Sequence, residues 1–386
     1  MSRPLHAIDS SDHKALSEAL ELAVRHDGPA VFPVPSDDHR DTPSSVDSEV
    51  ALVVETSGST SRPKRVWHTA HSLEAAAEHV NEQLGGSGVW WQVLPSHYIA
   101  GVMVIVRALV SGSAVISRTP GETISDRLMQ FARQADKDAP GVPQFTSLVP
   151  KQLADLVDAA RSEPLVARAM TGFSRILVGG QKVPEALIAD ARELGVHVTK
   201  TYGSAETAGG CVWDGKPLGG TEIGEYQNRI AVAGPMLAGG YLGDPERTAK
   251  SFVTREGKRW FISDDRGQFS EGILSISGRA DRVIISGGVK VDLDEVEAAV
   301  QQECDSLDVA VFSVADDTWG ESIAVLSTQD LESSMLEALL LGRFGTGARL
   351  SRSDVVTSLP RLTSGKVDYQ ELHRLFSGPT MSTGVQ

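Results

Sequence analysis

The sequence is poor in cysteine, short of basic residues and without a long apolar run. Cys211 and Cys304 are the two cysteines in 386 residues, too few for a disulfide framework or a thiolate metal pattern, which fits a reducing compartment. Lysine and arginine number 36 against 51 aspartates and glutamates, a formal net charge of -15. Nucleic acid and anionic membranes both require a basic face, so neither is expected as the main partner. The longest apolar stretch, Tyr98 to Val110, is broken by Arg107 and is too short to span a bilayer. Met1 to His6 lacks the apolar core of a secretory signal. A cytoplasmic protein without membrane insertion is the expectation. No internal repeat is evident.

What is present is ordinary globular composition, 41% hydrophobic and 23% charged. The length exceeds what one core usually supports, so a large domain with a smaller one is expected. The stretch that organises the rest is Glu55 to Arg65. It follows the apolar run Ala51 to Val54, which reads as a buried strand, and precedes Leu73, Ala76, Ala77, Val80 and Leu84, spaced for one helix face. Four hydroxyls (Thr56, Ser57, Ser59, Thr60), Gly58 and Lys64 make a loop able to wrap an anion such as a triphosphate. The P-loop of ordinary NTPases is a poor match, because Pro63 and Arg65 stand where its second glycine and its Ser/Thr belong.

Ahead of this loop, residues 10–27 have the pattern of an amphipathic helix stopped by Gly28, followed by a surface loop over Val34 to Ser48. Beyond it, apolar runs near 89–94, 114–117, 144–149, 175–178 and 196–202 alternate with helical patterns near 101–111, 123–135, 150–160 and 184–194. Such alternation predicts an α/β fold with a largely parallel sheet and helices on its faces. Ligands in such sheets gather beyond the carboxyl ends of the strands. Two further loops there carry chemistry: Gly179-Gly180-Gln181, and Gly203-Ser204-Ala205-Glu206-Thr207 after Tyr202. From Gly210 to Gly278 short strands and glycine turns predict a β subdomain. A compact α+β pattern follows, giving a large domain over 1–280, a small C-terminal domain over 281–386 and a disordered tail over 377–386.

Taken singly, the remaining polar candidates have plain readings: Asp265 as a turn residue, Arg279 paired with Asp281, Lys366 as a solvated loop lysine. Their order is more informative. Thr56 to Arg65, Tyr202-Gly203-Ser204-Ala205-Glu206, Asp265, Gly278-Arg279-Ala280-Asp281 and Gly365-Lys366 together resemble the adenylate-forming superfamily of acyl-CoA synthetases, luciferases and adenylation domains. The resemblance implies an AMP-forming acid–thiol ligase using ATP, Mg2+ and coenzyme A. Lys64 would serve the phosphates with Thr56, Ser57, Gly58, Ser59 and Thr60, and Glu206 would help hold the metal. Asp265 would take the ribose hydroxyls, and Arg279 would assist at ribose or phosphate. Gly179, Gly180 and Tyr202 would frame the adenine, followed by Gly203 and Ser204, and Lys366 would reach the reacting carboxylate from a small domain hinged at Asp281. The Gly287-Gly288-Val289-Lys290 face would form a thiol tunnel in a second orientation.

Ser61, Arg65, Ala205 and Asp264 depart from the usual motifs, and the region before the loop is short. That shortness, with Leu94 to Arg107, resembles the o-succinylbenzoate–CoA ligases of menaquinone biosynthesis in their short form. In that branch an arginine six residues after a glycine faces the acyl group; Arg107, six after Gly101, matches it. A dicarboxylate needs such a cation, since one carboxylate reacts and the other must be held. His97 and Tyr98 are further pocket candidates. Another aryl or acyl acid, a carrier-protein thiol as acceptor, and a nucleotide-binding relative without turnover remain alternatives, and a homo-oligomer is left open.

Overall fold

The computed structural model describes residues 1–36, 42–56, 64–117, 123–304, 306, 308–363 and 365–376. Five consecutive aliphatic residues, Val50 to Val54, are all buried, as expected of a strand covered on both faces. This strand is part of a first sheet built from β1 (Ser2–Asp9), β2 (Ala30–Val34), β3 (Ser45–Asp47), β4 (Val50–Thr56) and β5 (Lys64–Thr69). β1, β2 and β4 run parallel, while β3 and β5 are antiparallel to their neighbours. The short strand Gly240–Tyr241 joins the outer edge of β5, Tyr241 opposite Val66.

A second sheet contains β6 (Val89–Trp91), β7 (Ala114–Ile116), β8 (Gln144–Leu148), β9 (Arg175–Gly179), β10 (Val198–Ser204) and β11 (Gly209–Trp213). Its order is β11-β10-β9-β8-β6-β7 with Lys216–Pro217 outside β11. The strands from β7 to β10 are parallel, and β11 returns antiparallel. The expected parallel sheet is therefore present.

Between the sheets lie α2 (Ala70–Leu84) and α3 (Ile99–Ser111). Every residue from Gly101 to Ala108 is buried, because Val102, Met103, Ile105 and Val106 pack toward the first sheet while Val104 and Ala108 meet Trp90 and Phe145 of the second. A helix apolar all round must be enclosed in this way. Arg107 is carried into that enclosure by its place in the helix.

The β subdomain follows, a four-stranded antiparallel sheet made by Glu222–Tyr226, Arg229–Ala233, Phe252–Arg255 and Lys258–Ile262, with the ribbon Asp265–Ser270 and Ile273–Arg279 beside it. A separate core then begins. It runs from Ile284 to Leu372, under the helices Leu293–Glu303, Ser333–Phe344 and Tyr369–Phe376. The architecture is α/β with a second, smaller α+β unit.

Several expectations change. The first helix is α1 (His13–Val24), capped by the Asp12 side chain on the Ala15 amide. It stops before Gly28, since His26 takes a left-handed conformation at φ 60 and the Asp27 amide bonds back to the Leu22 carbonyl at 2.9 Å. β1 emerges from a stretch with little apolar signal, and β2 is the apolar run Ala30 to Val34 with Pro33 inside it, opposite Ile8. The Val34 to Ser48 loop contains β3. Lys64 to Thr69 is a strand, so β4 and β5 make a hairpin before α2. Pro164–Thr171 is an additional helix, and Leu350–Val355 an additional strand. The tail 377–386 and the loop residues Ser57, Gly58, Ser59, Thr60 and Ser61 lie outside the described residues.

Candidate active site

The carboxyl ends of β4, β9 and β10 open toward one region, and the polar side chains meet there. Thr56 ends β4 and Lys64 begins β5, paired across the hairpin. Lys64 Nζ lies 5.7 Å from the centre of the Tyr241 ring and 4.0 Å from Asp264 Oδ2. Asp264 is thus set among three cations, with Arg229 at 3.2 Å and Arg279 at 3.8 Å. Arg65 bonds Glu55, its partner across the hairpin, at 2.9 Å. Two of the four departures from the usual motifs, Arg65 and Asp264, are thus absorbed by ion pairs.

At the end of β10, Tyr202 donates its hydroxyl to Asp265 Oδ2 at 2.8 Å. Burial raises the Asp265 carboxyl above its usual range, while Arg279 at 3.4 Å and the Tyr202 hydroxyl oppose that rise. Arg279 grips Asp281 with two bonds of 2.8 Å. Burial works against its charge, yet Asp281, Asp265 and Asp264 raise its pKa overall. Gly203 has no room for a side chain: a Cβ there would lie 1.9 Å from the Gly209 carbonyl oxygen. The chain then turns through Ala205–Thr207 and presents Glu206, a buried carboxylate.

Two residues not singled out in the sequence, Tyr241 and His68, fix that turn together with Thr207 of the loop itself. Tyr241 donates to Glu206 Oε1 at 2.8 Å. His68, fully buried on β5, lies with Nε2 2.8 Å from the Ala205 carbonyl oxygen, so this nitrogen carries the proton. Burial pushes the imidazole down to about 4, which keeps it neutral. The Thr207 hydroxyl accepts the Ser204 amide at 2.9 Å and donates to the Gly209 carbonyl at 2.8 Å. Ser204 Oγ is buried with no protein partner among the described residues. With a threonine absent at Ala205, Ser204 is therefore the hydroxyl left for a ligand.

Lys366 arrives from the second core. Its Cε sits 3.5 Å from where a Gly180 Cβ would be, and Gly180 itself is left-handed at φ 83. Gly180 thus forms the surface on which the lysine rests, while Gly179 faces Thr201 on β10. Burial and Arg279 lower the pKa of Lys366, while Asp265 and Glu206 oppose them. All four side chains consequently face a common space. Gly365 packs on Val149, where an added Cβ would be 3.1 Å from Cγ2.

Arg107 occupies the floor of the region. It is 4% exposed, its Nη2 lies 3.5 Å from where a Gly209 Cβ would be, and its guanidinium stands 5.6 Å from the Trp90 ring centre. Ser147 Oγ at 3.5 Å is a marginal acceptor, and Nε has no partner among the described residues. No carboxylate pairs with Arg107 among the described residues, and burial pushes it down to about 10. His97 and Tyr98 stand at the other end of α3, about 14 Å away at 1.5 Å rise per residue. There His97 Nε2 and the Tyr98 hydroxyl meet Thr363 Oγ1 at 3.2 and 2.9 Å.

The family described as AMP-binding enzyme matches residues 3–242, which include every strand and turn just described up to Tyr241. The chain belongs to the AMP-binding enzyme family. A relative from Mycobacterium tuberculosis (strain ATCC 25618 / H37Rv), named "Probable 2-succinylbenzoate--CoA ligase", is 34% identical over 395 residues, covering 97% of this chain and 99% of its own. The 2-succinylbenzoate–CoA ligase of Geobacillus kaustophilus is 28% identical over 360 residues, covering 85% of this chain and 69% of its own. Among solved structures, the o-succinylbenzoate CoA synthetase of Bacillus subtilis in complex with the acyl-adenylate intermediate superposes with a TM-score of 0.72 at 22% identity, over 96% of this chain and 78% of that one. At that identity the likeness carries the fold. In this AMP-binding enzyme the nucleotide-side candidates Lys64, Tyr202, Glu206, Asp265, Arg279 and Lys366 converge, while His97 and Tyr98 meet the lysine loop at Thr363.

Proposed function

We propose that this AMP-binding enzyme is a 2-succinylbenzoate–CoA ligase, acting in menaquinone biosynthesis, that joins its acid to coenzyme A through an acyl-adenylate. The observation that carries the acyl assignment is Arg107, a buried cation with no carboxylate partner among the described residues. A monocarboxylic acid with an apolar tail would leave it unpaired, whereas the second carboxylate of a dicarboxylic acid completes a buried pair. The full-length relatives bearing that name support the same reading.

In the first half-reaction the substrate carboxylate attacks the α-phosphate of ATP and pyrophosphate leaves. Negative charge meets negative charge, so positioned cations are the main requirement. Lys64 holds the leaving phosphates by exchanging Asp264 for them. Asp265 accepts the ribose hydroxyls, oriented by Tyr202, and Arg279 secures the same end. Lys366, resting on Gly180, donates to the carboxylate and the α-phosphate. Mg2+ fits Glu206 and Ser204: one buried carboxylate held by Tyr241 and one unpartnered hydroxyl are hard oxygen donors. Bound there, Mg2+ supplies neutralisation of the triphosphate. In the second half-reaction the coenzyme A sulfur attacks the acyl carbonyl and AMP departs, its proton lost to solvent. For this step we assign a hinge at Asp281 between a large domain, 1–280, and a small domain from 281 onward, with the exposed Lys290 near an anionic group of coenzyme A.

Exchange of labelled pyrophosphate into ATP tests the reading. It should depend on o-succinylbenzoate and fall to background with benzoate or octanoate. Exchange supported equally by a monocarboxylic acid would overturn the acyl assignment.

A further inference from the structure

We infer that Thr363 is the positioning residue that docks the Lys366 loop for adenylation, by sharing its hydroxyl with His97 and Tyr98 at the start of α3. This rests on the proposed function for the role of Lys366, though the docking itself is read from geometry alone. Thr363 lies three residues before Lys366, in the turn closed by the Gly365 amide on the Leu362 carbonyl at 2.8 Å and the Leu362 amide on the Lys366 carbonyl at 2.9 Å. That turn is stiff, since Arg361 also donates to the Gly365 carbonyl at 2.9 Å and to Asp308 at 2.7 Å. A force on Thr363 is therefore transmitted to Lys366.

The other side of the contact is equally well held. The Tyr98 carbonyl accepts the amides of Gly101 and Val102 at 3.0 Å each, so Tyr98 opens the enclosed helix. Its ring lies 4.2 Å from that of His97, and His97 Nδ1 is 3.2 Å from Oγ of the buried Ser10. The two side chains therefore form a fixed receptor with two polar atoms aimed at one hydroxyl. The 265 or more residues between partners make this a contact between the two cores. The loop also lies against glycine and aliphatic surface, Gly180 and Val149, which limits approach without fixing direction. Lys151 at 3.8 Å from Asp308 adds one half-buried charge contact farther off.

With the hinge assigned at Asp281, the small unit leaves this position before thioester formation, and the Thr363 bonds then belong to the first half-reaction only. Thr363→Val keeps the shape and removes the hydroxyl. The acid-dependent release of pyrophosphate in a single turnover should slow about tenfold, the effect of two ordinary hydrogen bonds, while conversion of supplied acyl-adenylate to thioester stays unchanged. Thr363→Ser should restore adenylation. Hydrogen exchange reads the docking without reference to the reaction, and Thr363→Val should speed exchange over both 95–101 and 360–367. Equal slowing of both half-reactions, failure of Thr363→Ser to rescue, or unchanged exchange on both sides would each overturn the inference. Failure of the wild-type protein to form an acyl-adenylate from any acid would instead overturn the proposed function, with exchange still deciding the docking.

Discussion

Replacing Arg107 by methionine separates what this side chain does for the fold from what it does for the substrate. Burial holds the guanidinium down to about 10, which at about 1.4 kcal/mol per tenfold change in proton affinity is a cost on the order of 3 kcal/mol to the charged form. The Trp90 face at 5.6 Å returns about 1 to 2 kcal/mol, and the Ser147 contact at 3.5 Å is too long to add much. Methionine has similar length and no charge to desolvate. Arg107→Met should therefore leave the free enzyme as stable or about 1 kcal/mol more stable, a rise of a few degrees at most in the unfolding midpoint. The same change removes the partner of the substrate's second carboxylate, a loss of about 2 to 5 kcal/mol, so KM for o-succinylbenzoate should rise about thirtyfold or more. Thermal scans with and without the acid, alongside initial rates, measure both effects. A variant destabilised by more than about 2 kcal/mol, or one retaining the acid within tenfold, would refute the reasoning.

Three other outcomes follow from the structure. His68 is neutral in the fold, pushed down to about 4, whereas the unfolded chain binds its proton near pH 6.5; stability is therefore lost as pH falls through that interval, by about 2 kcal/mol between pH 7.5 and 5. Urea midpoints of His68→Gln should lack that share of the loss, and equal pH slopes for both proteins would contradict it. Arg3 is buried and donates to the carbonyls of Gly28, Ala23 and Val50 at 2.7, 2.9 and 3.0 Å, so Arg3→Ala should destabilise by about 3 kcal/mol, read from the denaturation midpoint. Lys366→Ala should lower adenylation at least a hundredfold and spare thioester formation from supplied acyl-adenylate, and loss of both half-reactions in a folded variant would remove Lys366 from its assigned role.

The parallel sheet and the small α+β unit were legible because their strands are continuous apolar runs, Val89 to Trp91 or Val309 to Phe312, whose burial on both faces leaves a plain pattern. β1 was not, since Arg3 and His6 interrupt its apolar residues and its inward arginine is satisfied only by carbonyls from distant segments. β2 was masked by Pro33, tolerated in a short strand whose pairing there is to β1. Within the site, Lys64 and Glu206 stood out as polar residues on loops after strands, whereas Asp265 and Lys366 stood out only through the ordered set of motifs that resembles the adenylate-forming superfamily. Their supports did not. Tyr241 reaches Glu206 across 35 residues, His68 reaches Ala205 across 137, and Thr363 reaches Tyr98 across 265. Nothing in the local sequence of a tyrosine, a histidine or a threonine reveals a partner at such separation. Arg107 is intermediate: its place in an apolar helix marked it, but its lack of a carboxylate partner among the described residues became visible only in three dimensions.

The account stands most directly on the product formed. Purified protein incubated with ATP, Mg2+, coenzyme A and o-succinylbenzoate, with benzoate and octanoate in parallel, should yield by mass spectrometry a thioester of the dicarboxylic acid alone, with one AMP released for each. A thioester formed as readily from the monocarboxylic acids, or ATP bound with no AMP released from any acid, would contradict it.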